Sequence, residues 1–232
     1  MASAEPLEQL DEDLCVASRP LRLWVGDVGT RMTVIRLREG SLLLHSPVSL
    51  DPALREALDR IGPVRWVVGP SKVHHLFLAD YVRAYPSAAL CGAPGLAEKR
   101  RDLRFQRVLD AMPVAEWGDQ VLHHLFAGAP AVNEFVFLHK RSRTLLLTDL
   151  AFNVQPGDRN RARIFHWLVG ATGRFGPHRI LRAAIRDREA ARGSLATILA
   201  WDFDRVIVAH GDVLEHGGRE ALRAGFAYLL AA

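Results

Sequence analysis

Three apolar runs in this sequence end in residues that a hydrophobic core does not select. Val64–Gly69 (VRWVVG) leads into Pro70-Ser71-Lys72-Val73-His74-His75, Thr144–Thr148 (TLLLT) into Asp149, and Arg205–Ala209 (RVIVA) into His210-Gly211-Asp212. In layered α/β folds the ends of strands converge on one rim, where loops assemble sites. Imidazoles and a carboxylate gathered on such a rim are ligand types for a divalent metal. The chemistry they support is metal-assisted hydrolysis. The chain holds ten histidines, so histidine by itself carries little information. His123, His124, His139, His166, His178 and His216 read as surface or satisfied core residues. His75, Asp149 and His210 stand apart because they share the strand-end position.

The elements that must position these residues follow from pattern. Thr30–Leu37 (TRMTVIRL) and Ser41–Ser46 (SLLLHS) are strands around a turn at Glu39-Gly40. Asp51 caps a helix that Pro52 opens and Gly62-Pro63 ends, with Leu54, Leu58 and Ile61 on one face. Val64–Gly69 is too apolar for an edge strand. Helical spacing runs from His74 to Tyr85, Ala88–Cys91 is a short strand, and helical pieces extend through Arg107. Strands at Val121–Phe126, Glu134–His139 and Thr144–Asp149 crowd the middle. Helices follow near Arg161–Val169, His178–Arg186 and Asp187–Ala200, then the strand Arg205–Ala209 and a last helix near Arg219–Leu230. Two mixed sheets packed face to face with helices outside satisfy this order. No Gly-Ser or Pro-rich stretch divides the chain, so a single domain over 1–232 is expected.

Composition narrows the classes. At 49% hydrophobic and 24% charged residues the chain reads as a folded, soluble protein. Two cysteines, Cys15 and Cys91, exclude a disulfide framework and a four-cysteine zinc site. The start, MASAEPLEQLDEDL, lacks the basic residues and apolar core of a secretory signal, and no run approaches the roughly 18 apolar residues of a membrane span. A cytoplasmic setting is expected. The net charge of +4 conceals a skew, since Arg159–Arg192 carries nine arginines. That face would draw an anionic small-molecule substrate or partner; nucleic acid is disfavoured because no recognition motif accompanies the charge.

The order of the segments carries a resemblance. A strand leading into a histidine-rich turn and helix, a strand ending in aspartate, and a late strand ending in histidine form the layout of the metallo-β-lactamase-like superfamily. The runs "TRMTVIRL", "LLLHSP", "KVHHLFL", "LLLTDL" and "WDFDRVIVAHGD" are similar to a domain-of-unknown-function family with a degenerate metal motif on that fold. The resemblance implies a four-layer αββα sandwich. On the superfamily's six-residue H-x-H-x-D-H motif, Pro70 falls at the first histidine, Lys72 at the second, His74 at the aspartate and His75 at the last histidine. The usual Gly-His would fall near Gly128-Ala129. One metal position is thereby implied to be lost. The other keeps His75, Asp149 and His210, with His74 a fourth ligand or proton shuttle.

These implications set the expectations. One divalent ion is expected, zinc first, with iron or manganese as alternatives, in a mononuclear hydrolase of an ester, thioester, lactone or phosphoester. A non-catalytic binding protein on the same scaffold is the alternative, with redox chemistry at a non-haem iron a weaker one. Lys72 is expected to place its ammonium beside Asp149, in the position of the missing ion, as base or electrostatic stabiliser. His45 ends a strand where the superfamily commonly has an aspartate, and with Asp212 it is expected to orient the surrounding loops.

Overall fold

The computed structural model describes residues 5–155 and 167–231. Thirteen strands are described: β1 Glu8–Asp11, β2 Leu14–Arg19, β3 Arg22–Leu23, β4 Gly26–Asp27, β5 Thr30–Arg36, β6 Leu42–His45, β7 Val64–Gly69, β8 Ala89–Gly92, β9 Arg107–Val108, β10 Val121–Leu125, β11 Phe135–His139, β12 Thr144–Leu146 and β13 Arg205–Ile207. The helices are α1 Pro52–Ile61, α2 Leu78–Ala84, α3 Leu96–Lys99, α4 Arg179–Ala184, α5 Arg188–Leu199, α6 Gly218–Gly225 and α7 Ala227–Leu230.

One sheet runs β1-β2-β5-β6-β7-β8-β9 and a second runs β10-β11-β12-β13. Alternation along the strands sends one set of side chains between the sheets, where Leu14, Ile35, Leu43 and Trp66 meet Phe135, Phe137, Leu146 and Ile207. The outer face of the first sheet takes Leu54 and Leu58 of α1 and Leu78 and Tyr81 of α2. The second sheet's outer face takes Leu195 and Ile198 of α5 with Leu222 and Leu229. The layers are therefore helix, sheet, sheet, helix.

Local chemistry explains the boundaries. Asp51 accepts the backbone N–H of Leu54 at 2.7 Å and Pro52 opens α1. The helix expected from His74 begins only at Leu78, because the Ser71 hydroxyl accepts N–H bonds from Val73 and His74 and holds residues 71–77 in turns. Phe226 interrupts the last helix, giving α6 and α7. Most of the helix expected over 161–169 lies outside the described residues. No helix among the described residues is long and apolar enough to cross a membrane.

Two parallel pairings position the site. β6 pairs β7 and β12 pairs β13, each in parallel, so the two strands of each pair end on one edge, and the contacts of His74 with Ser46 and with Asp149 bring the two edges together. Leu146 lies opposite Ile207 in the second pair. Asp149 and His210 each follow three residues after that matched pair, so equal overhangs carry the carboxylate and the imidazole to one place.

Candidate metal centre

His74, Asp149 and His210 each present a ligand atom, all within 4.8 Å of one another. Nε2 of His74 is 3.3 Å from Oδ2 of Asp149, and Nε2 of His210 is 3.5 Å from Oδ1. The two imidazoles thus face opposite oxygens of one carboxylate. The three side chains are only 9%, 13% and 7% exposed.

Each ligand is fixed from behind. Nδ1 of His210 lies 2.8 Å from the carbonyl of Gly29. A carbonyl can only accept, so Nδ1 donates this bond and the ring is turned with Nε2 toward Asp149. Nδ1 of His74 lies 2.8 Å from Oγ of Ser46, a non-glycine residue held at φ +58°. Strain of this kind is characteristic of residues that position functional groups. Arg31 donates to the carbonyls of Val208 and Gly211, both at 2.7 Å, bracketing His210. Gly211 follows at φ +96°, and a Cβ there would stand 2.2 Å from the carbonyl oxygen of Asn153, so only glycine closes this turn.

Glu134 anchors the aspartate. Buried at 1% exposure, it accepts the N–H of Thr148 at 2.6 Å through Oε1 and that of Asp149 at 2.8 Å through Oε2. Burial, followed by the neighbouring Asp149 carboxylate, pushes its carboxyl up to about 8. For Asp149 itself burial pushes upward, but His74 and His210 outweigh it and hold the acid well below the usual carboxylate range. Its Oδ2 nevertheless makes no well-formed hydrogen bond, although Nε2 of His74 approaches it to 3.3 Å.

This donor set fits a divalent cation. Tetrahedral ligands at about 2.0–2.1 Å from zinc stand roughly 3.3–3.4 Å apart, close to the two imidazole–carboxylate separations of 3.3 and 3.5 Å.

The structure therefore brings together His74, Asp149 and His210, and leaves His75 outside the cluster. Nδ1 of His75 is 3.4 Å from the guanidinium of Arg100, which also bonds the His75 carbonyl at 2.6 Å. The adjacent imidazole, His74, turns inward in its place because residues 71–77 are turns rather than helix. Lys72 also departs from expectation. Its ammonium donates to the carbonyl of Pro130 at 3.2 Å and makes no ion pair with Asp149; that carboxylate faces His74 and His210 instead. Asp212 bonds through its backbone to Asn153. Of the Arg159–Arg192 face, Arg182 stacks on Tyr228 at 4.1 Å while Arg188 and Arg192 bond the carbonyls of Tyr228 and Leu229, which commits these three to the C-terminal helices. Arg159, Arg161 and Arg163 lie outside the described residues. Ser46 and Glu134 were not singled out from sequence, although Glu134 is the one acid opening an otherwise apolar run, EFVFL.

The model of a family described as a domain of unknown function, DUF4336, matches residues 22–166. The chain belongs to this DUF4336 family. Among solved structures, a metallo-beta-lactamase from Pontibacter korlensis is similar at TM-score 0.67 and 12% identity, over 97% of this chain and 99% of that one. The FIM-1 metallo-beta-lactamase of Pseudomonas aeruginosa in its mono-zinc form is similar at TM-score 0.63 and 11% identity, over 97% and 92% of the two chains. A metallo-beta-lactamase from Erythrobacter litoralis is similar at 0.65 and 14%, over 97% and 92%. At such identities the likeness is one of fold: this DUF4336 chain has the metallo-β-lactamase fold. A search of curated protein sequences returned no match.

Proposed function

We propose that this protein is a mononuclear metal-dependent hydrolase acting on an ester, thioester, lactone or phosphoester. The observation that carries the reading is the convergence of His74, Asp149 and His210 within 4.8 Å on the wall of a cavity of about 390 Å³. His74 and His210 would hold the ion through Nε2 and Asp149 through its carboxylate. A divalent ion, zinc by the nitrogen-rich donor set, supplies Lewis acidity that lowers the pKa of water to about 7 and polarises the substrate's carbonyl or phosphoryl oxygen. The protein's share is orientation. Ser46 and the Gly29 carbonyl fix the two rings, Glu134 fixes the aspartate, and the apolar surroundings strengthen each electrostatic interaction. In the net reaction the hydroxyl of water joins the acyl or phosphoryl centre, the bond to the leaving group breaks, and the water's proton leaves with it.

The test is elemental analysis of untagged protein. About one equivalent of metal per chain is expected, most of it lost in each of His74→Ala, Asp149→Ala and His210→Ala and kept in His75→Ala. Wild-type metal content in all three cluster variants sinks the reading. Protein that takes up no metal on reconstitution is a binding protein on a hydrolase scaffold.

A further inference from the structure

The walls beside the ligand cluster indicate what kind of molecule the cavity suits. Its volume of about 390 Å³ lies in the range of small-molecule sites, roughly 300–1,000 Å³. Val28, Pro47 and Phe152 line its interior and Leu23, Val73 and Leu76 its opening. Exposure rises along this wall, from 6% at Phe152 and 7% at Val28 to 44%, 46% and 54% at Leu23, Val73 and Leu76. Single exposed apolar residues are ordinary, but three converge here on one opening that continues into a buried apolar wall. Phe152, with its ring 4.6 Å from that of His210, joins the wall to the ligands.

Positive charge is sparse by comparison. Among the described residues lining the cavity, Lys99 is the one lysine or arginine, and its ammonium donates to the carbonyl of Lys72 at 2.8 Å. A phosphoester would bring formal negative charge against hydrocarbon, where charge needs paired donors. A hydrocarbon chain meets the opposite situation: the wall removes it from water without stranding a polar group.

We propose that the substrate is an uncharged carboxylic ester or thioester bearing a hydrocarbon chain, its carbonyl at His74, Asp149 and His210 and its chain laid along the wall toward Leu23 and Leu76. The carbonyl end rests on the hydrolase reading; the chain end rests on the wall alone. Each methylene transferred from water to the wall raises kcat/KM by up to about fourfold, until the chain passes the opening.

Two measurements test this. Zinc-reconstituted protein is assayed on p-nitrophenyl acetate, butyrate, hexanoate and octanoate, and binding of 1-butanol and 1-octanol to chelator-treated, metal-free protein is followed by calorimetry. The expected results are a kcat/KM that climbs through the series and octanol binding at least tenfold tighter than butanol. Leu76→Glu, at an exposed position, should flatten the ester series and weaken octanol. Hydrolysis indifferent to chain length, with octanol bound no better than butanol, overturns the inference and leaves the hydrolase standing. Octanol preference in protein without esterase activity supports the apolar wall and overturns the hydrolase reading, so the two failures are told apart.

Discussion

His45 is a base buried where it cannot keep a second proton. It is 2% exposed, its Nε2 has no hydrogen-bond partner, and its ring meets Phe137 edge-on at 4.8 Å. Burial, then the proximity of His74, pushes the imidazole from 6.5 down to about 3. The unfolded chain regains the ordinary value, so between pH 6.5 and 3 the unfolded state binds the extra proton and the folded state does not. Stability from this residue is complete above pH 6.5 and declines as pH falls toward 3. At pH 5, about 1.5 units below the unfolded value, the deficit is about 2 kcal/mol. His45→Leu removes the titration while keeping an apolar side chain against Phe137. Urea denaturation at pH 7.5 and pH 5, with chelator present so that metal binding does not enter, should show wild type losing about 2 kcal/mol more than the variant between the two pH values. Packing lost in the variant is common to both and cancels. Equal losses would refute the argument that His45 is held neutral by burial.

Other expectations follow from single contacts. Glu134→Gln places an amide where two backbone N–H groups seek acceptors, and should cost about 1–3 kcal/mol in urea denaturation while loosening metal retention against a chelator. Gly211→Ala should cost at least about 1–3 kcal/mol from its backbone conformation alone and reduce metal content by displacing His210; wild-type content would show that this turn does not position the ligand. Lys72→Met removes one bond to the Pro130 carbonyl, so stability should change by no more than about 1 kcal/mol and metal content should hold. Loss of metal in that variant would restore the ion-pair idea that the structure sets aside.

Much of this was readable in advance for reasons that differ by residue. The strands before Pro70, Asp149 and His210 declare themselves because an apolar run gives way to residues a core does not select, and within each parallel pair the strand ends lie on one edge. The choice between His74 and His75 was not readable in the same way. It turns on the Ser71 hydroxyl capturing two N–H groups; both rings line the cavity, but His74 is the one that meets Asp149 and His210. Ser46 was hidden because its partner lies 28 residues away. The place of Lys72 was not readable from charge balance: its ammonium is drawn to the Pro130 carbonyl, 58 residues away in the chain, while the carboxylate faces His74 and His210.

The equal overhangs of Asp149 and His210 have a mechanical consequence. Both hang from adjacent, hydrogen-bonded strands of the second sheet, so a rigid-body shift of that sheet carries them together and leaves their separation unchanged. His74 follows β7 of the first sheet, and its distance to Asp149 therefore measures how far the two sheets have parted. A cation held by all three would act as a rivet across the sandwich, resisting the opening of the hydrophobic interior. Its release would be felt first as breathing between the layers, at Phe137 and Ile207, before any strand lost its neighbours.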